Sequence, residues 1–545
     1  MLLLCFPSTQ FMRHFKPYKL QWYSSLSRSV SSMEFQVSPL LQPLLTHHVF
    51  FFFFCFFLLI VSLFIFSVFV HFTKKRFYCN CDVCSAYLSS SWSKEFNNLC
   101  DWYTHLLQKS PTQTITIHVL NNTITANPNN VEYILKTRFE NYPKGKPFST
   151  ILGDLLGKGI FNVDGDSWLL QKKVASLELA SISIRTYAFD IVKNEIESRL
   201  VPLLSLAAAE SNNSSSSRLL DLQEVFRRFS FDNICKFSFG LDPCCLASSL
   251  PISLFANSFD LASKLSAERA MAALPLVWKL KRLFNIGTER ELKKAIKIVN
   301  VLAMEVILQK RKLGFSTNQD LLSRFMNCIK DDKHLRDIVI SFILAGRDTM
   351  ASALTAFFFL LAHHPDVVSK IRAESDQATA GQLEFASYNQ IREMHYLHAS
   401  VYECLRLYPP VQFDSKFAQE DDVLADGTFV SKGTRVTYHS YAMGRIENIW
   451  GSDFMEFKPE RWLKNGSFFP QKPYKYPVFQ AGARICLGKE LAVVEMKMVA
   501  LSVLNKFDVE VVEPKGAPAF DIGLTAMIRG GVQVVVKERS DVAPQ

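Results

Sequence analysis

Several features common in large chains are scarce or missing in these 545 residues. Strand character is confined to Thr114–Leu120, Thr428–Tyr438 and Val532–Lys537, which excludes a mainly β architecture. There is no internal repeat, so a solenoid is excluded. No G-x-G-x-x-G turn joins a strand to a helix, so the chain is not expected to bind NADPH itself. Nothing resembles a nucleic-acid module, and no nucleic-acid partner is expected. The twelve cysteines have no regular spacing, which argues against a disulfide framework and against a disulfide-linked partner. One short run, Cys79-Asn-Cys-Asp-Val-Cys84, has metal-like spacing. A zinc site needs about four ligands, and the other nearby candidates are Cys100 and His71, so free thiols are the expected state.

Charge is missing in two places. Residues 1–32 carry Arg13, Lys16, Lys19 and Arg28 but no acid, which fits either a transit-like segment or an upstream extension, with Met33 as the expected start. After a short lead over 33–48, Val49–Val70 has no charged residue at all. At about 1.5 Å per residue it reaches roughly 33 Å, enough to cross a bilayer. A cleaved signal would have a shorter apolar core with its basic residues in front. Here Lys74, Lys75 and Arg76 follow, and only Glu34 is charged between Ser29 and His48. An uncleaved anchor over 49–72 is therefore expected, with the C-terminal bulk in the cytosol. Residues 73–97 read as a linker and 98–545 as one catalytic domain, mostly α with a minor β region.

Apolar and aromatic residues are abundant: 48% of the chain is hydrophobic, 13% is aromatic, and 46 residues are Phe. That composition suits an interior able to hold a cofactor and a greasy ligand. The net charge of +10 fits a plain basic surface, an anionic membrane or an acidic protein partner. Glu291–Lys312 is amphipathic, and Ser211–Ser217 is a polar loop. Arg336–His363, ended by Pro365, is a long and almost wholly apolar helix that should run through the middle of the domain.

The strongest chemical signal is Phe479-Gln-Ala-Gly482-Ala-Arg484-Ile-Cys486-Leu-Gly488, followed by a helix-forming run from Lys489. A Cys just before a helix N-terminus has its thiolate stabilised by backbone N–H groups and the helix dipole. Gly482 and Gly488 would let the backbone pass close beneath a flat macrocycle, with Arg484 spaced to reach a propionate. A thiolate ligand pushes electron density through iron and favours O–O cleavage. In the long helix, Ala345-Gly346-Arg347-Asp348-Thr349 contains a glycine that costs about 1 kcal/mol against Ala. Ala345, Gly346, Thr349 and Ala353 are expected to share one face as a strip of small side chains. The alternative is ordinary helix packing with Thr349 bonded back to its own helix. Glu403-Cys-Leu-Arg406 places opposite charges one turn apart in apolar surroundings, and Pro459-Glu-Arg461-Trp462 follows further on.

The loop around Cys486 resembles the haem-binding loop of the cytochrome P-450 monooxygenases, and the likeness extends from about residue 78 to the C-terminus. It implies the fold of that family, with haem b (iron protoporphyrin IX) held between the long central helix and the loop, and Cys486 as axial thiolate. It implies that Ala345 and Gly346 open a groove for dioxygen, that Thr349 positions the proton donor, and that Asp348 connects it to solvent. Glu403, Arg406 and Arg461 would lock the scaffold of the haem loop. Trp168-Leu-Leu-Gln-Lys172 resembles a W-x-x-x-R helix facing the propionates. Lys replaces the usual Arg, so the bidentate fork is lost unless Lys173 shares the task. Lys416 falls where relatives place another propionate partner, the alternative being a solvated loop lysine.

Cys79–Cys84, Asn141–Lys146, Gly159–Asp166 and Val411–Phe417 resemble one plant branch, family 94. That branch contains fatty-acid ω-hydroxylases and oxidases of jasmonoyl–amino acid conjugates. The expected substrate is an apolar small molecule bearing a carboxylate, foremost 12-hydroxy-jasmonoyl-isoleucine, with fatty-acid ω-hydroxylation as the alternative. Val411, Gln412 and Phe413 are expected to line the substrate channel. The resemblance also implies electrons from NADPH through a separate flavoprotein reductase and an endoplasmic-reticulum membrane. Retention of Asp348 and Thr349 argues against a peroxide-rearranging relative and against a non-enzymatic haem carrier.

Overall fold

The computed structural model describes residues 42–73, 79–213, 219–247, 254–314, 320–379, 386–513 and 516–539. The expectations for residues 1–32 and Met33, and for the basic run at Lys74, Lys75 and Arg76, lie outside these, as does most of the Ser211–Ser217 loop. The chain divides into two units, Met1–Ser85 and Ala86–Gln545.

The first unit contains a helix over Gln42–Thr73. Its Val49–Val68 stretch is apolar enough and long enough to cross a membrane, and its side chains are exposed. The helix over Asp332–Ala362 also passes that test of length, but most of it is buried, and it belongs to the core of the second unit.

The second unit begins earlier than the linker expectation of 73–97 implies. Tyr87 donates its hydroxyl to the Met271 carbonyl at 2.5 Å, and Tyr87 and Trp92 both stack on Trp102. Helices dominate it. The amphipathic run becomes Gly287–Leu313. The central helix starts at Asp332, where the Asp331 side chain accepts the Lys333 N–H, and ends near Pro365, which opens the next helix. Twelve consecutive residues, Met350–Leu361, are buried, as expected for a helix apolar on all sides. The expected single helix over Arg336–His363 is interrupted, however. Leu344–Asp348 forms a π turn between Asp332–Ile343 and Thr349–Ala362. Such turns insert one residue and gather at functional positions.

The strands are shorter than expected. Thr114–Ile117 gives way to a 3₁₀ turn at His118–Leu120, and the Thr428–Tyr438 run splits into Phe429–Val430 and Arg435–Tyr438 around Gly433, whose φ is +79°. Val532–Lys537 appears as Gln533–Glu538. The main sheet orders Thr114–Ile117, Asn122–Thr125, Arg435–Tyr438 and Asp414–Phe417, antiparallel except for the parallel middle pair. Its register sets Asp414 opposite Tyr438 and Lys416 opposite Val436, which places the two charged residues beside the candidate site.

Candidate active site

The loop ahead of the Lys489–Leu504 helix is closed by the Cys486 N–H donating to the Phe479 carbonyl at 2.8 Å. The Cys486 side chain is accessible, although protein surrounds it so closely that burial is the largest influence on its thiol and pushes its pKa up. The Gly488 N–H and the charge and N–H of Lys489 oppose this. The helix-terminal donors expected to stabilise a thiolate are present, but without iron burial outweighs them. A coordinated metal deprotonates a thiol outright. Phe479 packs between Tyr402 and Lys489, the loop's link to the scaffold.

The two loop glycines differ. A Cβ on Gly488 would meet nothing within 4 Å, as expected for backbone facing a ligand surface. Gly482 does not serve the macrocycle in that way. Its φ is +63°, and a Cβ there would lie 2.2 Å from the Leu135 carbonyl oxygen, so it allows the loop to pass the Tyr133–Thr137 turn.

Cations converge beside this loop. Arg484 donates to Asp164 at 2.6 Å and to the Val163 carbonyl at 2.9 Å, and lies 4.6 Å over the Trp168 ring. Lys172, one turn after Trp168 on the Gly165–Ala180 helix, donates to the Ala483 carbonyl at 2.6 Å. Its ammonium thus grips the loop backbone, and Lys173 is exposed. Lys416 is not a solvated loop residue: it is 1% exposed, on a strand, with Nζ 3.3 Å from Asp414 but in no hydrogen bond among the described residues. Burial is the main cause that pushes its pKa down to about 7, against the pull of Asp414 and with the help of Lys144 and Arg484.

Lys144 completes the cluster by pairing with Asp414. Burial opposes the charge of Asp414, yet Lys144 and Lys416 hold its carboxyl well below the usual range. Asp164 accepts the N–H groups of Lys144 and Gly145 as well as Arg484. Tyr438 donates to Asp414 at 2.9 Å and pairs with Gln480. Three cations, Lys144, Lys416 and Arg484, therefore meet two carboxylates, Asp164 and Asp414, while Lys172 holds the loop backbone nearby. The surplus of cationic side chains over carboxylates, with one buried ammonium in no hydrogen bond among the described residues, suits a ligand that brings carboxylates of its own. An accessible thiol beside it completes the donor set that haem requires.

On the central helix, Thr349 donates its hydroxyl to the Ala345 carbonyl, the local bond that sequence allowed as the alternative. Asp348 is buried and pairs with Arg347 at 3.0 Å. Burial is the largest influence and raises its pKa, opposed by Arg347 and Arg227. Its expected link to solvent is indirect: Arg347 reaches Asp260 at 2.8 Å, and Asp260 is partly exposed. Gly346 departs from the expected groove strip. A Cβ there would sit 2.3 Å from the end of Ile234, so this glycine permits close packing against the Leu222–Phe239 helix.

Glu403, Arg406 and Arg461 are brought together as expected, with Glu403 and Arg406 fully buried and Arg461 at the edge of the cluster. Arg406 makes two bonds to Glu403, at 2.8 and 2.9 Å, and Arg461 adds a third at 3.1 Å. Trp462 Nε1 and the Lys458 N–H also donate to Glu403. The remaining guanidinium donors reach the carbonyls of Gly444, Phe454, Glu456, Trp450 and Asp453, and Arg461 also pairs with the Asp453 carboxylate at 2.7 Å. Of the expected channel residues, Val411 is half-buried, while Gln412 accepts the Cys100 thiol at 3.2 Å and Phe413 packs on His439.

Sequence reasoning assigned no role to Lys144, Asp164, Asp414, Tyr438 or Gln480. The one available signal was Lys144, Asp164, Asp414 and Gln480 standing inside stretches already distinctive for their residue pattern.

Comparison with known proteins agrees with this geometry. The Cytochrome P450 family model matches residues 90–534. Cytochrome P450 94C1 of Arabidopsis thaliana is 58% identical over 492 residues, covering 88% of this chain and 98% of that protein. Cytochrome P450 94B3 of Arabidopsis thaliana is 48% identical over 466 residues (83% and 90% of the two chains), and cytochrome P450 94A2 of Vicia sativa 43% over 462 residues (82% and 88%). The chain belongs to the cytochrome P450 family, within its plant group 94, and is a haem-thiolate monooxygenase.

Proposed function

We propose that Cys486 would supply the thiolate that holds the haem iron and that the enzyme oxidises the terminal carbon of a carboxylate-bearing lipid, foremost 12-hydroxy-jasmonoyl-isoleucine. The observation carrying the site assignment is the accessible Cys486 thiol next to a cluster in which cationic side chains outnumber carboxylates. Haem, when bound, supplies the iron that activates dioxygen, with electrons from NADPH through a separate reductase. Lys144, Lys416 and Arg484 would hold the propionates with Trp168 beside them, and Lys172 fixes the loop through the Ala483 carbonyl. Ala345 leaves its carbonyl to the Thr349 hydroxyl, which orients that hydroxyl along the helix. Asp348, with its carboxyl kept protonated to higher pH by burial, supplies a proton on the Thr349 side. Arginine does not release its proton, so Arg347 and Asp260 set the field and water must complete the route from the surface.

The substrate preference rests on the likeness of Cys79–Cys84, Asn141–Lys146, Gly159–Asp166 and Val411–Phe417 to family 94, which contains oxidases of jasmonoyl–amino acid conjugates as well as fatty-acid ω-hydroxylases. The anchor is proposed to sit in the endoplasmic-reticulum membrane with the catalytic unit in the cytosol. Reductase-containing membranes offered 12-hydroxy-jasmonoyl-isoleucine and a set of medium- and long-chain fatty acids in parallel test the substrate. The expected result is the 12-carboxy product at the higher kcat/KM. Faster ω-hydroxylation of a fatty acid would replace the jasmonate reading. In the same preparation, Cys486→Ala should abolish the thiolate-type Soret shift of the ferrous–CO spectrum. Thr349→Ala should retain that shift and uncouple NADPH consumption from product, whereas unchanged coupling would remove Thr349 from proton delivery.

A further inference from the structure

The haem site leaves one constellation of metal-binding side chains unused. Cys79, Cys81 and Cys84 bring their three sulfur atoms within 4.8 Å of one another. Sequence favoured free thiols because a fourth ligand was lacking. Cys100 does not supply one, since its thiol is committed to Gln412 in the catalytic unit. The local structure shows why the three converge. Cys81 immediately precedes the Asp82–Ser89 helix, and its carbonyl accepts the Ser85 N–H, so the helix starts on this residue. Cys84 lies one turn further along, on the same face as Cys81, and is buried. Cys79 approaches from the preceding extended segment and is half-buried.

We infer that Cys79, Cys81 and Cys84 form a binding site for one thiophilic d¹⁰ cation, Cu⁺ or Zn²⁺. The spacing supports this quantitatively. Metal–sulfur bonds of about 2.3 Å place thiolates about 3.8 Å apart around a shared ion, so the observed cluster needs to contract by about 1 Å at most. A disulfide is the competing use of neighbouring thiols. It joins two sulfurs at about 2.05 Å and would strand the third, so a set of three suits a cation better than a bridge. Soft thiolate ligands select Cu⁺ and Zn²⁺ over hard cations. Binding releases the thiol protons to solvent, and the ion ties the start of the Asp82–Ser89 helix to the segment before it. The inference is independent of the haem assignment.

The test uses the full-length holoenzyme, purified in detergent, washed with a weak chelator and assayed for zinc and copper against haem by elemental mass spectrometry. About one equivalent of one of the two ions per chain is expected. The Cys79→Ser/Cys81→Ser/Cys84→Ser variant should lose that equivalent while keeping its haem and its ferrous–CO spectrum. Titration of the reduced, metal-stripped protein with Zn²⁺ alone, or with Cu⁺ alone against a chromophoric chelator, identifies the ion. Should the triple variant not accumulate, alkylation of the wild-type peptide decides: the bound ion must protect all three cysteines. Metal content unchanged in the variant, no protection by either ion, or recovery of the native peptide with two cysteines disulfide-bonded would each overturn the assignment.

Discussion

Two buried ionic clusters lie within this fold, and they are built on opposite plans. Around Glu403 each charge is matched: its carboxylate receives Arg406, Arg461, Trp462 and a backbone N–H, Asp453 pairs with Arg461 as a second carboxylate, and the other guanidinium donors end on carbonyls. Around Asp414 the charges do not balance, and Lys416 is held at 1% exposure with no hydrogen bond among the described residues. Completing a network makes removal of one member costly, because its partners stay buried and unpaired. Leaving a network incomplete stores the opposite potential, since an anion that completes it gains charge-assisted hydrogen bonds at sites already desolvated. The first cluster stabilises the scaffold, and the second is prepared to receive a ligand.

The largest effect should come from breaking the matched cluster. Glu403→Ala leaves the buried Arg406 guanidinium without a carboxylate and Arg461 with Asp453 alone, and should destabilise the catalytic unit by about 3–5 kcal/mol. Urea unfolding monitored by fluorescence measures this, and little holoenzyme is expected to accumulate. If Glu403→Ala unfolded within 1 kcal/mol of wild type, on the order of a surface pair, the scaffold role would fail.

Lys416→Met should reverse that pattern. Haem retention should drop about 10- to 100-fold, the loss of one charge-assisted bond of about 1.5–3 kcal/mol, while the haem-free protein keeps or gains stability. Haem transfer to apomyoglobin and apo-state unfolding give the two readouts. A destabilised apo variant would place Lys416 with the matched cluster instead.

The same residue predicts a pH dependence. Its folded pKa is lowered to about 7, against an unfolded value of about 10.4, so the apo protein loses stability as pH falls from about 10 to 7, where the folded chain must charge a buried amine. Pairing with a propionate restores the charge, so haem binding above pH 7 takes up a proton. Haem affinity should therefore decline as pH rises from about 7 to 10, by at most about tenfold per unit, and Lys416→Met should flatten the slope.

The smallest effect is expected at Lys172→Arg. A guanidinium can keep the Ala483 carbonyl and add a second donor toward the propionates, a gain of about 1 kcal/mol in haem retention with little change in unfolding. Reduced retention would show that the ammonium's grip on the loop is what the site uses.

The two clusters were not equally legible in the sequence. Glu403 and Arg406 are three residues apart on one helix, so spacing alone pairs them. The Cys486 loop likewise carries its chemistry within ten residues, and the central helix showed itself by an unbroken apolar run. The unbalanced cluster draws on positions 144, 164, 172, 414, 416 and 484, which only the folded chain brings together. Lys416 and Arg484 were recognisable one at a time, but their carboxylates and Lys144 were not. Gly346 and Gly482 were noticed as glycines but given the wrong neighbours. The close approaches that require them come from Ile234 and Leu135, on elements remote in sequence.

The π turn at Leu344–Asp348 has a consequence for chain length. It holds one residue more than an α turn over the same stretch, so the two halves of the central helix are out of phase by about 100°. A family member shortened by one residue here would regain an uninterrupted helix, but would turn Thr349 and everything after it away from the faces they now occupy. Length at this turn therefore sets which way Thr349 faces, and a one-residue deletion here would redirect that side chain even with the threonine and acid kept.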